Sequence, residues 1–406
     1  MRSKVFFTHI CFRRGISVKK FIYLVLSVSA LILFIYSYNH SELISSDRPT
    51  SGSGSKLWQP TGNVGTQIGE TYTKEDRKKV ILVAYPRSGS TFTADVIRAN
   101  SDVLFIFEPL FTSLKKHIGK PFLVTEKKVY KRTKTNMTTF EEEVKKVMKA
   151  FLNCDSSLAD LPLRVLQNEV LEIREDTFPL FDCARNITKY NQTLMSHCAE
   201  KYIKLCEQRK VILAKVIRYP SEILYNQMKN DPNLYVVYLV RDPRGIMSSQ
   251  MTNFQNFEWE TIRRASKEFC TLMEKDIQVM EDLHDLYPDR VKFIRYESLA
   301  TNPLGDARDI YNFLKLDLTK NAINVIKLQT ASNRTSCDVG CTLRRNSKNV
   351  PYQWRIRANF TYIQNIDRVC GNLYAKMCYV PVKSSNHLKN MSISLIKPCV
   401  KYGVNM

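Results

Sequence analysis

Between Phe21 and Tyr38 the chain reads FIYLVLSVSALILFIYSY, eighteen residues without a charge. As a helix rising 1.5 Å per residue this run spans about 27 Å, the hydrocarbon depth of an early secretory bilayer. Six cations (Arg2, Lys4, Arg13, Arg14, Lys19, Lys20) precede it, and Glu42 and Asp47 follow. The positive-inside rule then puts residues 1–20 in the cytosol and everything after Tyr38 in a lumen, a single-pass type II topology with residues 21–38 as signal anchor. Cleavage after Val28-Ser29-Ala30 is the competing reading, but the apolar stretch continues well past Ala30, longer than a signal peptide needs. Whatever follows must therefore fold in an oxidising compartment, and topology excludes nucleic acid as a partner.

Two features agree with a lumenal body. Beyond the first hundred residues, N-x-S/T sequons occur at Asn136, Asn186, Asn191, Asn333, Asn359 and Asn390, candidates for glycosylation. Ten of the eleven cysteines follow the apolar run (Cys154, Cys183, Cys198, Cys206, Cys270, Cys337, Cys341, Cys370, Cys378 and Cys399), as disulfide-bonded proteins require. Their pairing is not legible from spacing. Cys337 and Cys341 lack a nearby His or second Cys pair to complete a metal site, so disulfides are the better reading and no metal is expected.

Residues 39–77, rich in Ser, Gly, Pro and Thr, read as a flexible stem. The body spans 78–385, and 386–406 read as a loose tail. Lys and Arg number 61 against 39 Asp and Glu, a net +22, of which the cations of the first twenty residues supply six. A body carrying the remaining +16 points to a polyanionic ligand or partner, and with nucleic acid excluded by topology an anionic membrane and a phosphorylated or sulfated ligand both fit the charge.

Within the body, short apolar runs alternate with helix-length segments. Val80–Tyr85, Val103–Phe107, Val211–Ile217, Leu234–Val240 and Val291–Tyr296 read as strands. Helical patterns include Ser90–Asn100 and, longest, Trp259–Leu286, whose Ile262, Ala265, Phe269, Met273, Ile277, Met280 and Leu283 form a core stripe. This alternation predicts an α/β fold, a P-loop-like, mostly parallel sheet with helices on both faces, in a single lumenal domain behind an N-terminal transmembrane helix.

Between the first strand and helix lies Tyr85-Pro86-Arg87-Ser88-Gly89-Ser90-Thr91-Phe92-Thr93. Backbone N–H groups of Gly89, Ser90 and Thr91 at a helix N-terminus, with the fork of donors on Arg87, make an anion site. The nucleotide-kinase pattern GxxxxGK[ST] is absent, which argues against a metal-assisted NTPase.

After an apolar strand, YPRSGST resembles the 5′-phosphosulfate loop of sulfotransferases that use 3′-phosphoadenosine-5′-phosphosulfate, and its Arg resembles the Golgi carbohydrate branch. A second segment, Leu239-Val240-Arg241-Asp242-Pro243-Arg244-Gly245-Ile246-Met247-Ser248-Ser249, is similar to that family's 3′-phosphate segment, implying that Arg241 and Ser249 hold the 3′-phosphate. A third, Leu343-Arg344-Arg345-Asn346-Ser347 through Tyr352-Gln353-Trp354-Arg355 to Cys378-Tyr379-Val380-Pro381, resembles the galactose and N-acetylglucosamine 6-O-sulfotransferases. With Arg295-Tyr296-Glu297-Ser298-Leu299 and a helix over Asp309–Leu314, the likeness covers residues 78–382.

The resemblance implies sulfonate transfer to a glycan or proteoglycan hydroxyl with no metal. Arg87 would stabilise charge on the leaving phosphate, with Ser90 and Thr91 in support. Glu108, in Ile106-Phe107-Glu108-Pro109-Leu110, would be the general base, its proton affinity raised by apolar surroundings, and His117 is the fallback. Lys215 and Arg218, at the end of the Val211–Ile217 run, would contact an anionic acceptor or the transferring sulfonate, with a solvated strand end as the competing reading. Arg345 would close on the 3′-phosphate, and Trp354 and Arg355 would stack or bind sugar. Two other readings remain open: another acceptor, such as protein tyrosine, or an inactive glycosaminoglycan-binding protein of the same fold. Dimerisation through span and stem is open as well.

Overall fold

The computed structural model describes residues 72–73, 76–113, 124–125, 128–129, 134–172, 176–217, 219–251, 259–332, 342–398, 400–401 and 404–405. The apolar run 21–38, stem residues 39–71 and 74–75, His117, Arg218, Asn333, Cys337, Cys341 and Cys399 lie outside them. Among the described residues no helix is long and apolar enough to cross a membrane.

Five strands form one sheet: β1 Lys78–Ala84, β2 Val103–Phe107, β3 Val211–Ile217, β4 Leu234–Val240 and β5 Val291–Arg295. Their order is β2-β3-β1-β4-β5, and every pairing is parallel. The β-branched runs form strands because both faces of a covered parallel sheet must be apolar. Alternate residues of β1 divide accordingly. Ile81 and Val83 join the core under helices α2 (Lys134–Asn153, which carries Asn136), α3 (Gln192–Cys206) and α5 (Trp259–Leu286). Val80, Leu82 and Ala84 join the core under α1 (Ser90–Ile97), α7 (Pro303–Leu314) and α8 (Lys320–Thr330). The expected α5 stripe is buried throughout, from Ile262 to Leu283.

One difference from the sequence reading concerns the C-terminal part. The segment after residue 385 is packed onto the domain, with Leu388 and Leu395 buried and Tyr379 bridging to Ile396. Four backbone carbonyls of that segment (His387, Leu388, Asn390, Ile393) accept from the Arg355 guanidinium at 2.7–3.0 Å. The disulfide pairing, left open by the spacing, is Cys154–Cys206, Cys183–Cys198 and Cys270–Cys370 among the described residues, the last tying α5 to the end of α10 (Phe360–Val369), with Cys378 bonded as well. Asn186, Asn191, Asn359 and Asn390 are exposed.

Candidate functional site: a cationic cleft at the sheet's carboxyl edge

The chain leaves β1 for β2 on one side and later enters β4 on the other, so strand order reverses at β1. Crevices outside the carboxyl ends of strands at such a point are where open α/β sheets bind ligands. Here the loop after β1 and the segment after β4, the start of α4 (Pro243–Met251), face each other across a cleft of about 380 Å³.

Gly89 begins α1 with φ +92°, and Arg87 two residues earlier has φ +69°. Such a conformation in a non-glycine residue persists only where its surroundings fix it. Two side chains do so. Arg241 Nη1 donates to the Arg87 carbonyl at 2.7 Å, and Gln250 Nε2 donates to the Pro86 carbonyl at 3.2 Å. Arg87 Nε in turn donates to Ser249 Oγ at 3.0 Å. The Tyr296 ring, at the start of α6 (Tyr296–Thr301), lies under both segments: the Arg241 guanidinium stacks 4.5 Å from its centroid, and Phe92 meets it edge-on. A Cβ on Gly89 would stand 2.3 Å from this ring, so only glycine fits.

Arg87, Arg241 and Arg344 all line the cleft, and no carboxylate does among the described residues. Burial, then the neighbouring Arg241 and Arg344 cations, push the Arg87 guanidinium below its ordinary proton affinity. Arg241 Nε and Ser248 Oγ are buried without a partner among the described residues. Repelling guanidiniums beside unsatisfied donors fit an anionic ligand, which would supply the missing acceptors.

Other expected residues fall elsewhere. Ser90, Thr91, Phe92, Gly245, Ser248, Ser249 and Trp354 line the cleft with Arg87, Gly89 and Arg241, whereas Ser88 and Thr93 are buried behind the loop. Asp242, Pro243, Arg244, Ile246 and Met247 face inward. Arg244 is fully buried, bidentate to Asp242 at 2.8 and 2.9 Å, and donates to the Val380 carbonyl, so it braces α4 and does not reach a ligand. Asp242 also accepts the Arg244 N–H, and its own N–H donates to buried Glu297. Arg355, on α9 (Gln353–Arg357), is committed to the carbonyls described above. Arg345 is exposed outside the cleft, and its neighbour Arg344 lines it.

Glu108 does not line the cleft. It ends β2 with φ +47° and is ion-paired with buried Lys215, Nζ to Oε1 2.6 Å, instead of standing among apolar side chains alone. Sequence reasoning missed Thr342, Arg344, Gln353 and Arg357 as lining residues, and gave Tyr296 no role in the cleft. The signal for Arg344 was present in the Arg-Arg pair. Backbone pairing of Arg344 with Gln329 and Ser332, at 2.8 Å each way, decides which arginine turns inward, and no periodicity in a loop announces that.

Residues 77–377 match the family described as sulfotransferase domain, and the match spans the whole sheet and both faces of the cleft. The chain belongs to the sulfotransferase family. Carbohydrate sulfotransferase 1 of Danio rerio is 27% identical over 368 residues, covering 80% of this chain and 83% of that protein. Carbohydrate sulfotransferase 3 of Mus musculus is 24% identical over 359 residues, covering 79% of this chain and 72% of that one. The solved structure of mouse sulfotransferase SULT7A1 complexed with PAP aligns with 76% of this chain and 86% of its own, at 14% identity and TM-score 0.34. The carbohydrate sulfotransferase resemblance read from the motifs thus meets relatives of that name across four-fifths of this sulfotransferase's length.

Proposed function

We propose that this protein moves a sulfonate group from 3′-phosphoadenosine-5′-phosphosulfate to a glycan hydroxyl, position 6 of galactose or N-acetylglucosamine, as a type II single-pass protein of the Golgi membrane. The observation that carries the donor half is the convergence of Arg87, Arg241 and Arg344 on a cleft without a carboxylate among its described lining residues. Support for the glycan half comes from the curated relatives' names, and support for the compartment from the cation-flanked apolar run and the disulfides.

In this reading the 5′-phosphosulfate lies on the Gly89–Thr91 amides with Arg87 at its bridging oxygen, and Arg241, Ser248 and Ser249 take the 3′-phosphate. The acceptor oxygen attacks sulfur as the bond to the bridging oxygen breaks. Adenosine 3′,5′-bisphosphate departs, its new charge met by Arg87, and the acceptor's proton passes to Glu108. Trp354 forms the wall opposite, its indole Cδ1 3.0 Å from where a Cβ on Gly245 would be.

The test is transfer of ³⁵S-sulfonate by the full-length protein in detergent micelles to keratan, chondroitin, mucin-type and N-glycan acceptors. Label on one acceptor class, absent with Arg87→Ala, supports the reading. Nucleotide binding with no transfer to any class would favour a binding protein, and absence of nucleotide binding would overturn the donor assignment.

A further inference from the structure

We propose that Asp95 is a positioning residue for the donor, holding through Thr342 the segment that delivers Arg344 to the cleft, a role that rests on this cleft binding the nucleotide. Asp95 is buried on the side of α1, about one turn beyond Thr91. Its two carboxylate oxygens take different partners. Oδ1 accepts from Arg98 Nε at 2.8 Å, and Oδ2 accepts from Thr342 Oγ1 at 2.8 Å, a contact between residues 247 positions apart.

Two residues beyond Thr342 the main chain is fixed from the other side. The Arg344 N–H donates to the Gln329 carbonyl near the end of α8, and the Arg344 carbonyl accepts from the Ser332 N–H, each at 2.8 Å. One short strip of chain is thus tied to α8 by its backbone and to α1 by the Thr342 hydroxyl, and both Thr342 and Arg344 line the cleft. The tie to α1 matters because the site repels itself. Arg87 loses proton affinity through burial first, then through Arg241 and Arg344, so the three cations press one another apart. Residues 342–344 form neither helix nor strand, and Arg344 is exposed, so the strip is the part free to yield. A latch through Thr342 resists that without weakening the field of the cleft: threonine carries no charge, and the Asp95 charge is met by Arg98. Because α1 bears the Gly89–Thr91 amides at one end and Asp95 on its side, the anion loop and Arg344 share one rigid reference. Their separation is thereby set for two phosphate groups of one nucleotide, and Asp95 acts through Thr342 without touching either.

The test is calorimetric binding of adenosine 3′,5′-bisphosphate to full-length wild type, Thr342→Val, Thr342→Ser, Asp95→Leu, Arg344→Gln and the Thr342→Val/Arg344→Gln pair, with thermal unfolding as a check on folding. Leaving one long side chain to be ordered at binding weakens affinity about three- to tenfold. Thr342→Val, which keeps the shape and loses the hydroxyl, should weaken binding by that factor, and Asp95→Leu should match it. Thr342→Ser restores the hydroxyl and should bind as wild type does. In the Arg344→Gln background Thr342→Val should make no further difference, a comparison that a general loosening of the fold would not reproduce and that stands even if Asp95→Leu unfolds. Wild-type affinity in Thr342→Val, an equal loss in Thr342→Ser, or the same further loss on top of Arg344→Gln would overturn the latch. Absence of nucleotide binding by wild type would instead overturn the donor reading beneath it.

Discussion

Replacing Gly89 by alanine tests the wedge of Tyr296 beneath the anion loop. The new methyl would lie 2.3 Å from both Cδ2 and Cε2 of a ring that is 6% exposed, capped by Arg241 and flanked by Phe92, so the ring has nowhere to swing. An L-residue in the left-handed region costs about 1–2 kcal/mol. Forcing a methyl into a packed site adds about 1–3 kcal/mol. Gly89→Ala should then cost about 2–5 kcal/mol in all, read as lost unfolding free energy in urea or as weaker calorimetric binding of adenosine 3′,5′-bisphosphate. In a Tyr296→Ser background the overlap is gone and the backbone strain remains, so Gly89→Ala should there cost only about 1–2 kcal/mol relative to Tyr296→Ser alone. Wild-type stability together with wild-type nucleotide affinity in Gly89→Ala would refute the wedge.

Arg241→Met removes a charge-assisted donor, worth about 1.5–3 kcal/mol, so adenosine 3′,5′-bisphosphate should bind roughly 10- to 150-fold more weakly by calorimetry. Arg244→Met leaves Asp242 buried without its partner, and urea unfolding should show a loss of about 3–5 kcal/mol, with nucleotide affinity per folded molecule little changed. Removing the Cys270–Cys370 bond, which joins positions 100 residues apart, should lower unfolding free energy by about 4–5 kcal/mol on chain-entropy grounds, seen by comparing the Cys270→Ser/Cys370→Ser variant with wild type. Burial holds the Glu297 carboxyl above its ordinary 4.5, so its contribution to stability is complete below 4.5 and is lost as pH rises through the raised folded value. Glu297→Gln should therefore gain on wild type as pH climbs above 4.5, and a widening advantage for wild type would reverse that sign.

The parts of this architecture that repeat along the chain were legible in it. Continuous β-branched runs gave all five strands to within two residues, because a strand covered on both faces leaves no polar phase to misread. The two segments that build the cleft were legible for a different reason: glycine and small residues at a strand-to-helix turn have few uses other than close approach. Side-chain direction was not. Arg241 and Arg244 stand three apart, yet one lines the cleft and the other is sealed against Asp242, Trp354 and Tyr374. Likewise Lys215 sits in a strand read as apolar, and only the neighbouring strand, more than a hundred positions away, explains a cation there. The loose tail was misread because Leu388 and Leu395 are isolated apolar residues among polar ones, too sparse to show a periodicity.

The grip of Arg355 on residues 387–393 sets an order on synthesis. The anion loop at 85–91 emerges early, but in the wall opposite, Gln353 to Arg357, the buried Arg355 guanidinium finds its acceptors some thirty residues further on. A ribosome delivers the chain from the N-terminus, so the strands have long been available when the last brace arrives. Until then the sheet can assemble with its cleft open on one side. The far wall of the cleft therefore receives its last brace only when the closing segment of the domain is released, and a chain that stops short of it leaves the Arg355 guanidinium buried without these acceptors.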